Sequence, residues 1–319
     1  MPDQQLRRAA KALLCPAASC KRFDRPIFIL APPRSGSTLL FECLARTGVL
    51  HLSAEADLCW WRIWPYERTA EASDFIGEAD VSSRELDRLF KTLYRQAVIV
   101  RTKQRRGAID PRHLIGTARI RYLDKTIANC FHLEVLDRVF PDARFVFLVR
   151  DPRANIASMI EGWPHLGRFG KPQLTPMLQR LEPRTIEHWT YPAPQGWQEV
   201  VGRPLAEICA WSWRRHVESV LEHFERRPRP PIRVTYEQLV HDLSGTVREL
   251  AAALDLPWPE RAEAYTRRAP PSRTTVSGPS RDKWLRRYAR EIEQVLPAIE
   301  ATAQRIGYDL GAEAAATLH

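Results

Sequence analysis

The sequence predicts an α/β fold in which helices cover both faces of a central parallel sheet. Three observations lead to it. Pro26–Ala31 and Phe145–Val149 are continuous apolar runs, the mark of strands buried on both faces. Each is followed by a polar turn and then by a helical pattern, and Ile232–Tyr236 repeats that order as a third strand. The chain has 319 residues, 44% hydrophobic and 27% charged. That is long enough to bury a sizeable core and excludes a disordered chain, a collagen-like fibre and a membrane bundle.

In the first unit the apolar run ends in Pro32-Pro33-Arg34-Ser35-Gly36-Ser37-Thr38, and Leu39, Leu40, Cys43 and Leu44 then share one side of a helix. In the second, residues 128–139 read as helical and Pro141-Asp142 turns the chain into the strand. That strand ends at Arg150-Asp151-Pro152-Arg153, with a helix from about Ala154. After the third strand a helix is expected from Glu237 to Leu254. Residues 162–204, rich in Pro, Trp, Gly and charge, read as an irregular excursion or lid. Residues 267–283 read as an extended loop before a final helix. Leu6, Ala9, Ala10, Leu13 and Leu14 would line one face of a short helix packed on the body. The organisation is an N-terminal helical extension over 1–25, one domain over 26–310 and a tail over 311–319.

The six cysteines form neither a CxxC pair nor a zinc spacing, so no metal site and no disulfide framework is expected. No stretch has the length of a secretory h-region or a transmembrane segment. The reading is a reduced, cytoplasmic protein. There are 48 basic and 38 acidic residues, a net charge of +10, and only seven of the basic residues are Lys. Arginine's fork suits phosphate and sulfate oxygens, so an anionic partner is indicated without being identified. Charge alone would allow a basic nucleic-acid-binding protein, but the Arg residues are scattered along the sequence rather than clustered.

The loop at 31–38 is the most informative segment. Between a buried strand and a helix start, backbone N–H groups lack intrahelical partners and, with the helix dipole, form an anion site. Gly36 permits close approach, Ser37 and Thr38 add hydroxyls, and Arg34 adds a mobile positive charge. A helix merely capped by Ser35 or Ser37 is the plainer alternative. The Gly-Lys-Ser/Thr of a kinase or nucleotide hydrolase with a phosphate-binding loop is absent.

Ala31 to Leu40 resembles the 5′-phosphosulfate loop of sulfotransferases that use 3′-phosphoadenosine 5′-phosphosulfate (PAPS). Its Arg-Ser-Gly form is similar to that of bacterial, carbohydrate and tyrosylprotein members. Phe145 to Arg153 followed by Ser158 resembles the family's 3′-phosphate motif, with Arg150 at the strand end and Ser158 two helical turns on. Tyr236 to Val240 resembles the tyrosylprotein branch, and Pro279 to Trp284 the late loop that closes on PAPS. The resemblance spans roughly residues 26–310. It implies a P-loop-like fold and transfer of a sulfuryl group from PAPS, without metal, to a hydroxyl of an acceptor.

The resemblance also implies the site. PAPS would be held by Arg34, Ser35, Gly36, Ser37, Thr38, Arg150, Ser158, Tyr236 and Lys283. Glu55, 21 residues after Arg34, matches the position of the catalytic base, with Asp57 and His132 as alternatives. Tyr122-Leu123-Asp124-Lys125-Thr126 resembles the motif whose Lys meets the transferred group, so Lys125 and Arg34 would stabilise it. Ile127 departs from the Pro common there, which leaves the loop geometry open. The acceptor, whether small molecule, glycan, lipid or peptide, is left open. Trp60, Trp61 and Trp64 cannot all face one core from a regular element, so at least one should line a cleft. Trp163, Trp189 and Trp197 would close over the same space.

Overall fold

The computed structural model describes residues 22–53, 55–69, 72–105, 109–114, 118–165, 169, 189–271, 274–276 and 283–310. The expected N-terminal helix, the C-terminal tail, most of the 162–204 excursion and residues 277–282 of the late loop lie outside them. The first half contains β1 (Ile27–Leu30), α1 (Ser37–Ala45), β2 (His51–Ser53), α2 (Asp57–Trp61), α3 (Ser83–Arg105), α4 (Pro111–Leu114), β3 (Tyr122–Asp124) and α5 (Leu133–Val139). The second half contains β4 (Arg144–Val149), α6 (Pro152–Gly162), α7 (Leu205–Glu225), β5 (Ile232–Thr235), α8 (Tyr236–His241), α9 (Leu243–Ala253), α10 (Glu260–Arg267), α11 (Lys283–Arg287) and α12 (Ala289–Arg305).

The strands form one parallel sheet in the order β2-β3-β1-β4-β5. Alternate residues of a strand point to opposite faces, and here both faces are apolar. Ile27, Ile29, Val146, Leu148 and Val234 pack under α1 and α9, against Leu40, Leu44, Val247 and Leu250. Phe28, Leu30, Phe145, Phe147 and Val149 face the other way, toward Ile156, Met159, Trp213, Val217, Ile292 and Val295 of α6, α7 and α12. The unbroken hydrophobicity of β1 and β4 thus has a direct cause: every side chain there meets a helix layer.

Three local differences from the sequence expectation have physical reasons. The helix over 128–139 is a 3-10 turn, Ile127–Phe131, followed by α5. The helix over 237–254 is divided at Asp242, whose carboxylate accepts the N–H of Gly245 and starts α9 as a new N-cap. The strand β2, only three residues long with a half-buried centre, carries too short a pattern to stand out in the sequence. Among the described residues no helix is long and apolar enough to cross a membrane.

Candidate active site

The connection leaving β1 runs to β2 on one side of the sheet, whereas that leaving β4 runs to β5 on the other. The carboxyl ends of β1 and β4 therefore open into the crevice at a topological switch point, where ligands of such sheets bind. A cavity of about 730 Å³ lies there. The loops after β1, β3 and β4 supply it with Arg34, Lys125 and Arg150, and α6 supplies Ser158.

The loop after β1 has two residues in left-handed backbone conformation, Arg34 (φ 67°) and Gly36 (φ 96°). The first is uncommon for a residue with a Cβ, and the loop around it is held by its own bonds and by Asn155 of α6. Ser35 is fully buried, its hydroxyl 2.8 Å from both the Pro32 carbonyl and Asn155 Oδ1, which share its one proton, while Asn155 Nδ2 donates to the Pro33 carbonyl at 2.7 Å. Ser35 thus turns its side chain inward and does not line the cavity, although its neighbours Arg34, Gly36, Ser37 and Thr38 do. A Cβ on Gly36 would stand 2.5 Å from Cδ2 of Tyr236. The ring of Tyr236 lies directly on the glycine, and only glycine leaves it room.

Helix α1 begins without a side-chain cap. Its first intrahelical bond is from the Leu40 N–H to the Gly36 carbonyl, so the N–H groups of Ser37, Thr38 and Leu39 have no helical acceptor. Those three donors at the positive end of the helix dipole, beside a glycine that cannot obstruct approach, fit a phosphate or sulfate group.

The cations of the cavity are held in place by the protein. Arg150 donates to the Arg34 carbonyl at 3.2 Å, with its guanidinium 4.4 Å from the Tyr236 ring centre. Arg34 donates to the Thr274 carbonyl at 2.8 Å and lies 4.2 Å over the Phe169 ring. Lys125, 5% exposed, places Nζ 2.6 Å from Oε1 of Glu55, which is 57% exposed. Lys283 pairs with Glu161, which also meets Arg287 at 3.2 Å. Lys283 therefore reaches the cavity wall already neutralised.

Asp57 also lines the cavity, but His132 does not. His132 is buried, hydrogen-bonded through Nε2 to the Asp74 carbonyl at 2.9 Å and stacked on Trp60 at 3.9 Å between ring centres. Of the tryptophan cluster, Trp60 and Trp64 lie in the core and Trp61 faces the cavity. Trp163, Trp189 and Trp197 do not close over that space: they are buried in an edge-to-face chain with centres 5.4 and 5.6 Å apart. They anchor the excursion to α6 and α7 instead.

Asn155 and Glu161 are site residues that the motifs do not mark. Both lie on α6, three residues either side of Ser158, and that helical spacing was the available signal. Tyr191 and Phe169 reach the cavity from the excursion, where no periodicity marked them.

A parallel sheet with an uncapped helix start at its switch point and an arginine leaving the neighbouring strand defines the candidate site. The sequence profile of the sulfotransferase family matches residues 26–260, and the chain belongs to that family. No curated protein matches it. Among solved structures, the sulfotransferase STF9 from Mycobacterium avium is similar, with a TM-score of 0.51 and 17% identity over 97% of this chain and 82% of that one. Mouse sulfotransferase SULT7A1 complexed with PAP has a TM-score of 0.43 and 13% identity, covering 91% of this chain and 89% of that one. The sulfotransferase from Alicyclobacillus acidocaldarius has a TM-score of 0.45 and 15% identity, covering 91% and 98%.

Proposed function

We propose that this protein transfers a sulfuryl group from PAPS to a hydroxyl of an acceptor, with Glu55 as general base and with Lys125 and Arg34 stabilising the transferred group. The observation that carries the reading is the Glu55–Lys125 pair, 2.6 Å apart, on the same cavity as the anion loop and Arg150. A base and a cation within one hydrogen bond of each other suit a reaction in which a proton leaves as negative charge is relocated.

The donor supplies the sulfuryl group and a phosphate leaving group. The N–H groups of Ser37, Thr38 and Leu39 would hold its 5′ side, and Arg150 with Ser158 its 3′-phosphate. Tyr236 sets the floor against Gly36. Lys283 would exchange Glu161 for phosphate when the donor binds. Glu55, the more exposed partner of its pair, takes the acceptor's proton, and Lys125, nearly buried, holds that carboxylate in place and faces the developing charge. Trp61 would border the acceptor. Phe169 and Tyr191 would border it from the other side.

The test combines labelled sulfate transfer from PAPS to a panel of phenols, alcohols, sugars and peptides with calorimetric binding of PAP. Glu55→Gln and Lys125→Ala should each lower kcat about 100-fold or more while PAP affinity stays within about threefold. Failure of PAP to bind at micromolar concentrations would overturn the reading.

A further inference from the structure

The two segments that carry Glu55 and Lys125 come from different loops, one after β2 and one after β3. A buried hydroxyl bridges them beyond the ends of the β2–β3 ladder. Thr126 Oγ1 lies 2.6 Å from Asp124 Oδ1 and 2.6 Å from the backbone nitrogen of Ala56. The Ala56 N–H can only donate, so the hydroxyl accepts from it and gives its own proton to the carboxylate. Asp124 Oδ1 also accepts the Thr126 N–H at 2.6 Å, and its Oδ2 accepts from Tyr122 at 3.1 Å. One further bond, from the Lys125 N–H to the Ser53 carbonyl at 3.3 Å, ties the same two segments. Thr126 and Ala56 are fully buried and Asp124 is 1% exposed, so the network has fixed geometry and no competing solvent.

Each member has a defined place. Ala56 follows Glu55 and Thr126 follows Lys125, so the hydroxyl sits one residue from both members of the reacting pair. Its donor and acceptor capacities are directed to opposite strands' loops. We propose that Thr126 is a positioning residue for the transfer reaction, fixing the Glu55 carboxylate relative to the Lys125 ammonium by clamping Ala56 to Asp124. The inference rests on the proposed roles of Glu55 and Lys125. Misplacement of reacting groups by about 1 Å lowers rates about 100-fold. A clamp on the adjacent backbone controls a displacement of that size.

The experiment compares Thr126→Val, which keeps the shape and removes the hydroxyl, with Thr126→Ser, which keeps it, each alone and in a Glu55→Gln background. Expected for Thr126→Val is a kcat about 10- to 100-fold lower with KM for PAPS and PAP affinity within about twofold. Thr126→Ser should remain within about threefold of the parent. In the Glu55→Gln background Thr126→Val should cost less than about threefold, because the group it positions has gone. Full kcat in Thr126→Val, a Thr126→Ser as impaired as the Val variant, or an undiminished effect in the Glu55→Gln background would each overturn the proposal. Glu55→Gln retaining full activity would instead refute the roles on which it rests. Should the valine variant fail to fold, Thr126→Ala is read against the same outcomes.

Discussion

Asp124 offers a prediction whose size follows from burial. It is 1% exposed, and desolvation pushes its carboxyl from the ordinary 3.8 up to about 6, against hydrogen bonds from Thr126 and Tyr122 that favour the charged form. The folded protein therefore keeps this proton to higher pH than the unfolded chain does. Between about pH 4 and about pH 6 the native state binds the extra proton, so this group's contribution to stability falls as pH rises through that window. A carboxyl moved from 3.8 to about 6 corresponds to about 3 kcal/mol. Asp124→Asn has no charge at any pH, and any hydrogen bond it loses shifts stability by a constant amount. Urea unfolding of both proteins from pH 4 to pH 8 isolates the titration as the change in their difference. The parent should gain about 2 kcal/mol of that relative to the variant on going from pH 7 to pH 4, the rest appearing only below the unfolded value. Groups common to both proteins cancel. A difference that stays flat within about 1 kcal/mol, or runs the other way, would refute the argument.

Four further outcomes follow from the site and its surroundings. Gly36→Ala forces a left-handed residue to carry a Cβ 2.5 Å from the Tyr236 ring, so PAP affinity measured by calorimetry should fall about tenfold or more while far-UV circular dichroism is kept. Trp60→Ala should destabilise the fold by about 3–5 kcal/mol in urea titrations, since that side chain is 1% exposed and stacked on His132. Trp61→Ala, half-buried on the cavity, should leave the urea midpoint nearly unchanged and raise acceptor KM. Burial pushes the thiols of Cys43, Cys59 and Cys130 up to about 12, so peptide mapping after alkylation at pH 8 should find them unmodified until denaturant is added.

What was legible in the sequence was whatever is written locally. β1 and β4 are buried on both faces, so their signal is an unbroken apolar run, and the glycine loop between strand and helix lies contiguous in the chain. The side chains of the switch point could be listed from there: Arg34 and Arg150 stand at the strand ends, and Ser158 follows at helical spacing. The aromatic residues were harder, because Trp60, Trp61 and Trp64 look alike in the sequence. Their separation into two core anchors and one cavity wall depends on a helix only five residues long. The same holds for Trp163, Trp189 and Trp197, which are buried rather than over the cavity. An irregular segment has no period, and only the packed neighbours decide which way an indole points.

The long-range contacts that organise the loops of the site were invisible for a different reason. The Ala56–Thr126 bond joins positions 70 residues apart, and the Ser35–Asn155 bond joins positions 120 apart. In both, a short polar side chain is used for its reach to a backbone or amide group, and nothing in its own neighbourhood distinguishes it from a surface hydroxyl. Lys283 shows the converse. Its place after a hydroxyl-rich loop suggested a cation waiting for phosphate, whereas in the fold it meets Glu161. Since Glu161 is 10% exposed and bonds both Lys283 and Arg287, removing Lys283 to a ligand still leaves the buried carboxylate one cation. That residual partner lowers the penalty of an exchange, because the carboxylate is never left unpaired in a low-dielectric site. The second cation at Glu161 is thus what would let Lys283 leave it without exposing an unpaired buried charge.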